Sequence, residues 1–371
     1  MVYLDYSAST PVDKEVMDSF IKCNNEFIGN ANSLHKLGIK INALIEASTT
    51  QIQNLLNADM YEVIYTSGAT ESNNLAITGY ALSHQNRGKH IITSRYEHSS
   101  VNYVIDYLKS LGFEISYAEC DEDGVIDLNN LRDLIREDTI LVSICAVNSE
   151  IGILQPTSEI ARMLKERNVA FHCDMTQAIG KVKIDITNID MITISAHKIY
   201  GIKGVGCLLK KDSVNITPQI LGGKSTTKYR SGTPSHPLIV SFSKALRLAV
   251  QNLDERYKNV VMLSNYLKTE LRKREYVSIN SNSKCIPHII NISIKAVKPE
   301  TMLHSLEQED IYISTKTACS DNNNISESVY YLTKDEERAK TSLRISISHL
   351  TTPEEVEYFI KCLDKCYFKL K

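Results

Sequence analysis

The sequence predicts an α/β fold: a mostly parallel central sheet with helices on both faces, followed by a smaller α+β domain. Three observations point to it. Short apolar, β-branched runs alternate with helical segments over the first two-thirds of the chain, and that alternation changes near Leu238. The length, 371 residues, also exceeds what one small core holds, at roughly 100–200 residues per domain. The expected division is a large domain at 12–255 and a small one at 256–371, joined by residues 1–11.

The expected strands of the large domain are Glu62–Thr66, His90–Thr93, Glu114–Tyr117, Thr139–Ile144, Val169–Cys173, Met191–Ser195 and Val205–Leu209. Most are continuous apolar runs, not alternating ones, as expected of strands covered on both faces. Ile160–Arg167 is a typical intervening helix, opened by Pro156-Thr157-Ser158-Glu159. In such doubly wound sheets, ligands gather at the C-terminal ends of the strands. Beyond Leu238 a long helical stretch reaches about Lys273. It is followed by Ile289–Ile294, helical Pro299–Glu309, Ile311–Ser314, Leu343–Ile347 and a closing helix from Pro353. The polar stretch Cys319–Ser328, with three consecutive asparagines, is expected to be a mobile loop.

Composition narrows the function classes. With 42 basic and 44 acidic residues the net charge is −2, so no global attraction to nucleic acid or to an anionic membrane is expected. The N-terminus lacks the basic and apolar regions of a signal peptide, and no apolar run is long enough to span a membrane. Nine cysteines, an odd number with no C-x-x-C pair, predict free thiols in a reducing, cytoplasmic setting. Cys362 and Cys366 sit one helical turn apart and read as helix-face residues, not as a metal site.

Three segments carry chemistry. In Ser195-Ala196-His197-Lys198, a lysine follows a buried strand and precedes the glycine-rich Gly201–Gly206 turn. Partial burial in such a place lowers an amine's pKa for nucleophilic and general-base work. Thr66-Ser67-Gly68-Ala69-Thr70 ends one strand and opens a helix, where backbone N–H groups and the Thr70 hydroxyl suit a phosphate. Asp174 ends a third buried strand. A carboxylate there requires a partner, and the ring nitrogen of pyridoxal phosphate would serve. Each segment alone is compatible with an ordinary turn or helix cap. Together, at the ends of parallel strands, they point to one cofactor site.

The chain resembles the class V, fold-type I pyridoxal phosphate enzymes, and within them the NifS/IscS-like cysteine desulfurases. The resemblance runs nearly end to end. It covers Tyr3–Thr10, Gly29–His35, Thr66–Gly79, Glu97-His98, Asn148–Gly152 with Gln155-Pro156, and His172–Lys181. It continues through Ser195–Gly206, Arg230–Pro234, Thr317–Ser320 and Leu343–Ser346. It implies pyridoxal phosphate borne by Lys198, with Asp174 at the pyridine nitrogen and His98 stacked on the ring as a proton shuttle. Asn148 and Gln177 would lie near the ring hydroxyl. Ala69, Thr70, Ser195 and His197 would form the phosphate cup, and Thr233 would be lent across a homodimer interface. Arg344 would grip the carboxylate of L-cysteine, with Asn148 also near the substrate. Cys319 would take the sulfur as a persulfide, release alanine, and pass the sulfur to an acceptor protein in iron–sulfur cluster assembly or tRNA thiolation.

The match has departures. Asp5-Tyr6-Ser7-Ala8-Ser9-Thr10 stands for an expected Asn-Ala-Ala, and Asn148-Ser149-Glu150 for Asn-Asn-Glu. Gly222-Gly223-Lys224-Ser225-Thr226 lacks the Gln-Glu pair that follows the glycines in the family. The segment from Cys319 to Arg344 is shorter than in scaffold-type desulfurases and resembles the branch paired with tRNA-thiolating enzymes. The competing readings are another class V enzyme, such as a selenocysteine lyase or an aminotransferase, and a non-catalytic scaffold. An aminotransferase has no need of Cys319, and a scaffold has no need of Lys198, Asp174, His98, Cys319 and Arg344 together.

Overall fold

The structure is a computed structural model and describes residues 1–223, 225–315 and 325–371. Cys319 lies outside the described residues. A short strand β1 (Val2–Tyr3) precedes helices α1 (Lys14–Glu26) and α2 (Lys36–Leu56). The central sheet is built from β2 (Tyr61–Thr66), β3 (His90–Thr93), β4 (Glu114–Tyr117), β5 (Thr139–Cys145), β6 (Ala170–Asp174), β7 (Met191–Ser195) and β8 (Gly206–Lys211). Between them run α3 (Ala69–His84), α4 (Ser99–Ser110), α5 (Leu128–Leu134) and α6 (Thr157–Glu166).

The strand order is β2-β8-β7-β6-β5-β3-β4. Neighbours from β7 through β4 pair parallel, whereas β8 is antiparallel to both β7 and β2. The connection between Ser195 and Gly206 explains the exception. A parallel return needs a crossover of a dozen or more residues, usually helical, and this loop has no room for one. Every residue of β5 and β6 is buried, because helices cover both faces of the sheet. Ile41, Ile52, Phe171 and Phe242 pack on one side. Leu75, Ile77, Val101 and Ile105 of α3 and α4 pack on the other.

The expected long helix from Leu238 is two helices, α7 (His236–Gln251) and α8 (Leu253–Arg272). Asn252 lies between them with φ −99° and ψ 10°, and its Nδ2 donates to Leu248 O at 2.9 Å. Asparagine competes with the helical backbone in this way, so the apolar pattern continues while the axis breaks. A second group of elements follows: β9 (Val277–Ile279), β10 (Ile289–Ile294), α9 (Pro299–Glu307), β11 (Ile311–Tyr312), α10 (Glu327–Thr333), α11 (Glu336–Lys340), β12 (Ser342–Ser346) and α12 (Pro353–Leu370). Strands β12, β10 and β9 form an antiparallel sheet, and β1 pairs parallel with β11. Val2 and Leu4 join Leu267, Ile292 and Phe359 in a separate core. The loop expected to extend through Ser328 ends sooner. Ser326 caps α10 by accepting the Val329 N–H at 3.1 Å, so Glu327 and Ser328 are helical.

The fold brings three chain ends of the sheet side by side. Gly206 opens β8 in register with Thr66 of β2 and with Ser195 of β7. A Cβ at Gly206 would lie 2.5 Å from Ile194 O and 2.9 Å from Gly68 Cα, so only glycine lets the strand approach the start of α3. Gly206→Ala is expected to lower the unfolding free energy by about 1–3 kcal/mol, the usual cost of overpacking. Denaturant unfolding checks this, and an unchanged midpoint would contradict it.

Candidate active site

The candidate site is built at the ends of β6, β7 and β2. β6 ends at Asp174, which is buried. Its Oδ1 accepts the Thr176 N–H at 2.9 Å, and its Oδ2 accepts from Asn73 Nδ2 at 2.9 Å. Among the described residues no Lys or Arg is ion-paired with it. Asn73, fully buried on α3, also donates to Ser100 Oγ at 2.9 Å. Ser100 in turn meets His98, whose Nδ1 accepts the Ser100 N–H at 3.1 Å. An accepting Nδ1 leaves the proton of the neutral ring on Nε2. Burial holds His98 below the ordinary imidazole range. Asp174 opposes that shift, while Lys198 and Arg344 reinforce it.

β7 ends at Ser195, and the single turn Ala196–Lys198 carries the lysine out of the sheet. Lys198 Nζ donates to the carbonyl oxygens of Ser7 at 2.5 Å and Ala8 at 2.8 Å. The buried Gln177 donates from Nε2 to the same Ser7 carbonyl at 2.9 Å. His197 is pushed down to about 4 by burial and by the charges of Lys198, Lys203 and Lys181.

β2 ends where α3 begins. Gly68 precedes Ala69 with φ 152°, and no side chain caps the helix, so the N–H groups of its first turn are open to an anion. Thr70 is exposed on that turn. Ser195 Oγ is buried without a hydrogen-bond partner among the described residues, and a Cβ at Gly68 would lie 3.7 Å from it. The cradle therefore combines an uncapped helix start with an unpartnered hydroxyl. Beside it, Asp174 offers a buried carboxylate to a cationic ring nitrogen, and Lys198 offers an amine. These donors fit pyridoxal phosphate.

Arg344 approaches from β12. The residue is buried, with Nη1 donating to Ser149 O at 3.0 Å and Nη2 to Asp5 Oδ1 at 2.8 Å. Its Nε has no partner among the described residues. Asn148 is held on every side: Nδ2 donates to Tyr96 O and Ser328 Oγ, and Oδ1 accepts the N–H groups of Glu150 and Ile151. Thr233 is exposed and lines a pocket with Thr66, Ser67, Gly204 and Arg230. Of the buried thiols, Cys145, Cys173 and Cys207 are pushed well up by burial, which suits inert core residues and not nucleophiles.

Sequence reasoning missed Asn73, Ser100, Ser7, Asp5 and Glu97. Asn73, Ser7 and Asp5 lie in recognised segments but act through contacts distant in sequence, and Ser100 meets both the distant Asn73 and the adjacent His98. Glu97 stood in a recognised pair with His98 but received no role. It is fully enclosed, accepting from Ser94 Oγ at 2.6 Å and from Cys145 N–H at 3.0 Å.

The aminotransferase class-V family matches residues 2–359. The cysteine desulfurase IscS of Buchnera aphidicola subsp. Acyrthosiphon pisum (strain 5A) is 39% identical over 382 residues, covering 100% of this chain and 93% of that one. A solved NifS-like protein superposes with a TM-score of 0.92 at 33% identity, covering 98% of both chains. A structure of SspA in complex with cysteine gives a TM-score of 0.83 at 30% identity, covering 95% of this chain and 100% of that one. The chain belongs to the class-V aminotransferase family, a family of pyridoxal phosphate enzymes, and has their fold-type I architecture. Within it, its place is among the NifS/IscS-like cysteine desulfurases, as its motifs led us to expect.

Glu97 yields a prediction about pH. Burial raises its carboxyl to about 8, with the Asp174 charge adding to the rise and the Ser94 and Cys145 hydrogen bonds opposing it. The folded state thus holds a proton that the unfolded chain releases near 4.5. The stability this contributes is full below about 4.5 and is lost as pH rises through about 8. Glu97→Gln keeps the shape without the charge. Its melting temperature is expected to fall less than that of the parent chain across this window, and parallel pH profiles would contradict the assignment.

Proposed function

We propose that this enzyme removes sulfur from L-cysteine to give L-alanine and a persulfide on Cys319, with Lys198 as the lysine that bears pyridoxal phosphate. One observation carries the cofactor assignment: the buried Asp174 carboxylate has hydrogen-bond donors but no cationic partner among the described residues, opposite an uncapped helix start. The cofactor, when bound, supplies an electron sink for the amino acid's Cα. Asp174 would hold the proton on its ring nitrogen. Ala69, Thr70, Ser195 and His197 would hold its phosphate, with Thr233 contributed by a second copy. Gln177 and Asn148 would border the ring hydroxyl.

Arg344 would orient the substrate carboxylate, its planar fork matching two oxygens. Its present contact with Asp5 supports that reading, because the guanidinium already engages a carboxylate. Lys198 and His98 would move protons at the amino acid. With Nε2 carrying the proton of its neutral ring, His98 can donate there and take the proton back. The Cys319 thiolate then attacks the substrate sulfur. A new S–S bond forms, the C–S bond breaks, and its electron pair remains with carbon, which takes a proton to become alanine. Cys319 follows Ser314 by five residues, and Ser314 exchanges backbone hydrogen bonds with Arg344.

The persulfide would pass to an acceptor protein, an iron–sulfur scaffold or a tRNA-thiolating enzyme. We further propose a homodimer in the cytoplasm. The exposed Ile28, Leu34, Ile39 and Leu221 are apolar area for a second copy to cover, and the described cysteines are all free. No helix among the described residues is long and apolar enough to cross a membrane. The separate core around Leu4, Leu267 and Phe359 supports a large domain at 12–255 and a small one at 256–371 with 1–11. SspA in complex with cysteine favours cysteine over a selenocysteine or aminotransferase substrate.

The test is to load the protein with pyridoxal phosphate, add L-cysteine, and measure alanine together with persulfide by peptide mass spectrometry. Cys319→Ser is expected to lower alanine release about 10³-fold or more. Arg344→Lys is expected to lower kcat/KM about 10- to 100-fold, the loss of one charge-assisted hydrogen bond. Normal turnover by Cys319→Ser would overturn the mechanism.

A further inference from the structure

Lys181 is a buried lysine that the reaction above does not use. Its ammonium donates to Gln177 Oε1, and among the described residues no carboxylate is ion-paired with it. Backbone hydrogen bonds close the turn that carries it. Ala178 N–H and Ile179 N–H both bond to Met175 O, and Lys181 N–H bonds to Ala178 O. Gln177 and Lys181 therefore lie on one face, four residues apart, as neighbours on a helix do. Gly180, at φ 71°, packs against α7, where a Cβ would meet Ala249 Cβ at 2.8 Å.

An ammonium has three donors and no acceptor, whereas an amide has one end of each kind. Beside Lys181 the Gln177 amide can present only its oxygen. Its NH₂ group is thereby turned the other way, to the Ser7 carbonyl 2.9 Å from Nε2. That same carbonyl accepts from Lys198 Nζ at 2.5 Å. A continuous chain runs from Lys181 through the Gln177 amide and Ser7 O to Lys198.

We propose that Lys181 is a positioning residue for Lys198: it orients the Gln177 amide, and the oriented amide fixes the Ser7 carbonyl on which the Lys198 amine rests. The role deepens the function proposed above, since it matters to the reaction only if Lys198 bears the cofactor. The charged and titratable groups acting with Lys181 are Lys198, Arg344, His197 and His288. Burial, then the Lys198 and Arg344 charges, push its ammonium down to about 7. Replacing it removes the donor that holds the Gln177 oxygen and frees the amide to turn that oxygen toward Ser7 and Lys198, which favours the charged form of Lys198.

The experiment needs no cofactor. The cofactor-free protein is trace-labelled with acetic anhydride over a pH series, and Lys198 is followed by peptide mass spectrometry. Lys181→Met is expected to raise the pH of half-maximal labelling by about one unit, roughly a tenfold loss of amine reactivity at neutral pH. Gln177→Leu is expected to shift it the same way, and the double variant by clearly less than the sum. An unshifted Lys181→Met, or fully additive shifts, would overturn the proposal. Should Lys181→Met give no cooperative melt, Lys181→Arg replaces it. Arginine also only donates and is expected to keep the parent midpoint, so a raised midpoint there would overturn the proposal as well. Failure of the cofactor assignment would register separately, as absence of pyridoxal phosphate binding by the parent chain.

Discussion

A carboxylate at the end of a buried strand is the constraint on which the rest of this site depends. Asp174 lies at the C-terminal end of β6, in the middle of a sheet covered on both faces. A charge in that position is costly unless donors and a counter-charge surround it. The fold supplies the donors, one from the Thr176 backbone and one from Asn73 on α3. Asn73 then ties Asp174 to Ser100 and, through it, to His98. The neighbouring Glu97 stays protonated at neutral pH, so no second negative charge competes. In the function proposed above, the cofactor supplies the counter-charge.

The surrounding architecture serves to bring other groups to that carboxylate. β7 places Ser195 and Lys198 beside it, and the short return into β8 lets Gly206 press against the start of α3. The second core delivers Arg344 on β12, tied to Asp5 of the N-terminal segment. That segment is itself held by β1 pairing with β11, and its Ser7 and Ala8 carbonyls receive Lys198. The N-terminal residues are thus part of the site, although Lys198 and Arg344, which they meet, lie far away in sequence.

Much of this is legible in the sequence where the cause is local. Buried parallel strands write themselves as apolar runs, and His90–Thr93 and Met191–Ser195 fall where the pattern puts them, as do the more exposed Glu114–Tyr117 and the antiparallel Ile289–Ile294. Asp174, Ser195, Lys198 and Thr70 were legible because each sits at a strand end or a helix start. The break at Asn252 was not, since the apolar period runs through it and only the side-chain bond to Leu248 O interrupts the helix. The direction of β8 could have been read from the short loop before it. Asn73, Ser7 and Lys181 have no local mark. Asn73 and Asp174 are 101 residues apart, and Ser7 and Lys198 are 191 apart.

The most direct test of the account compares the melting temperature of the parent chain with that of Asp174→Asn, each measured with and without pyridoxal phosphate. If Asp174 is a buried charge that the cofactor compensates, the asparagine chain melts higher than the parent without cofactor and lower with it, and the two curves cross. An asparagine chain that gains as much from pyridoxal phosphate as the parent does would contradict the account.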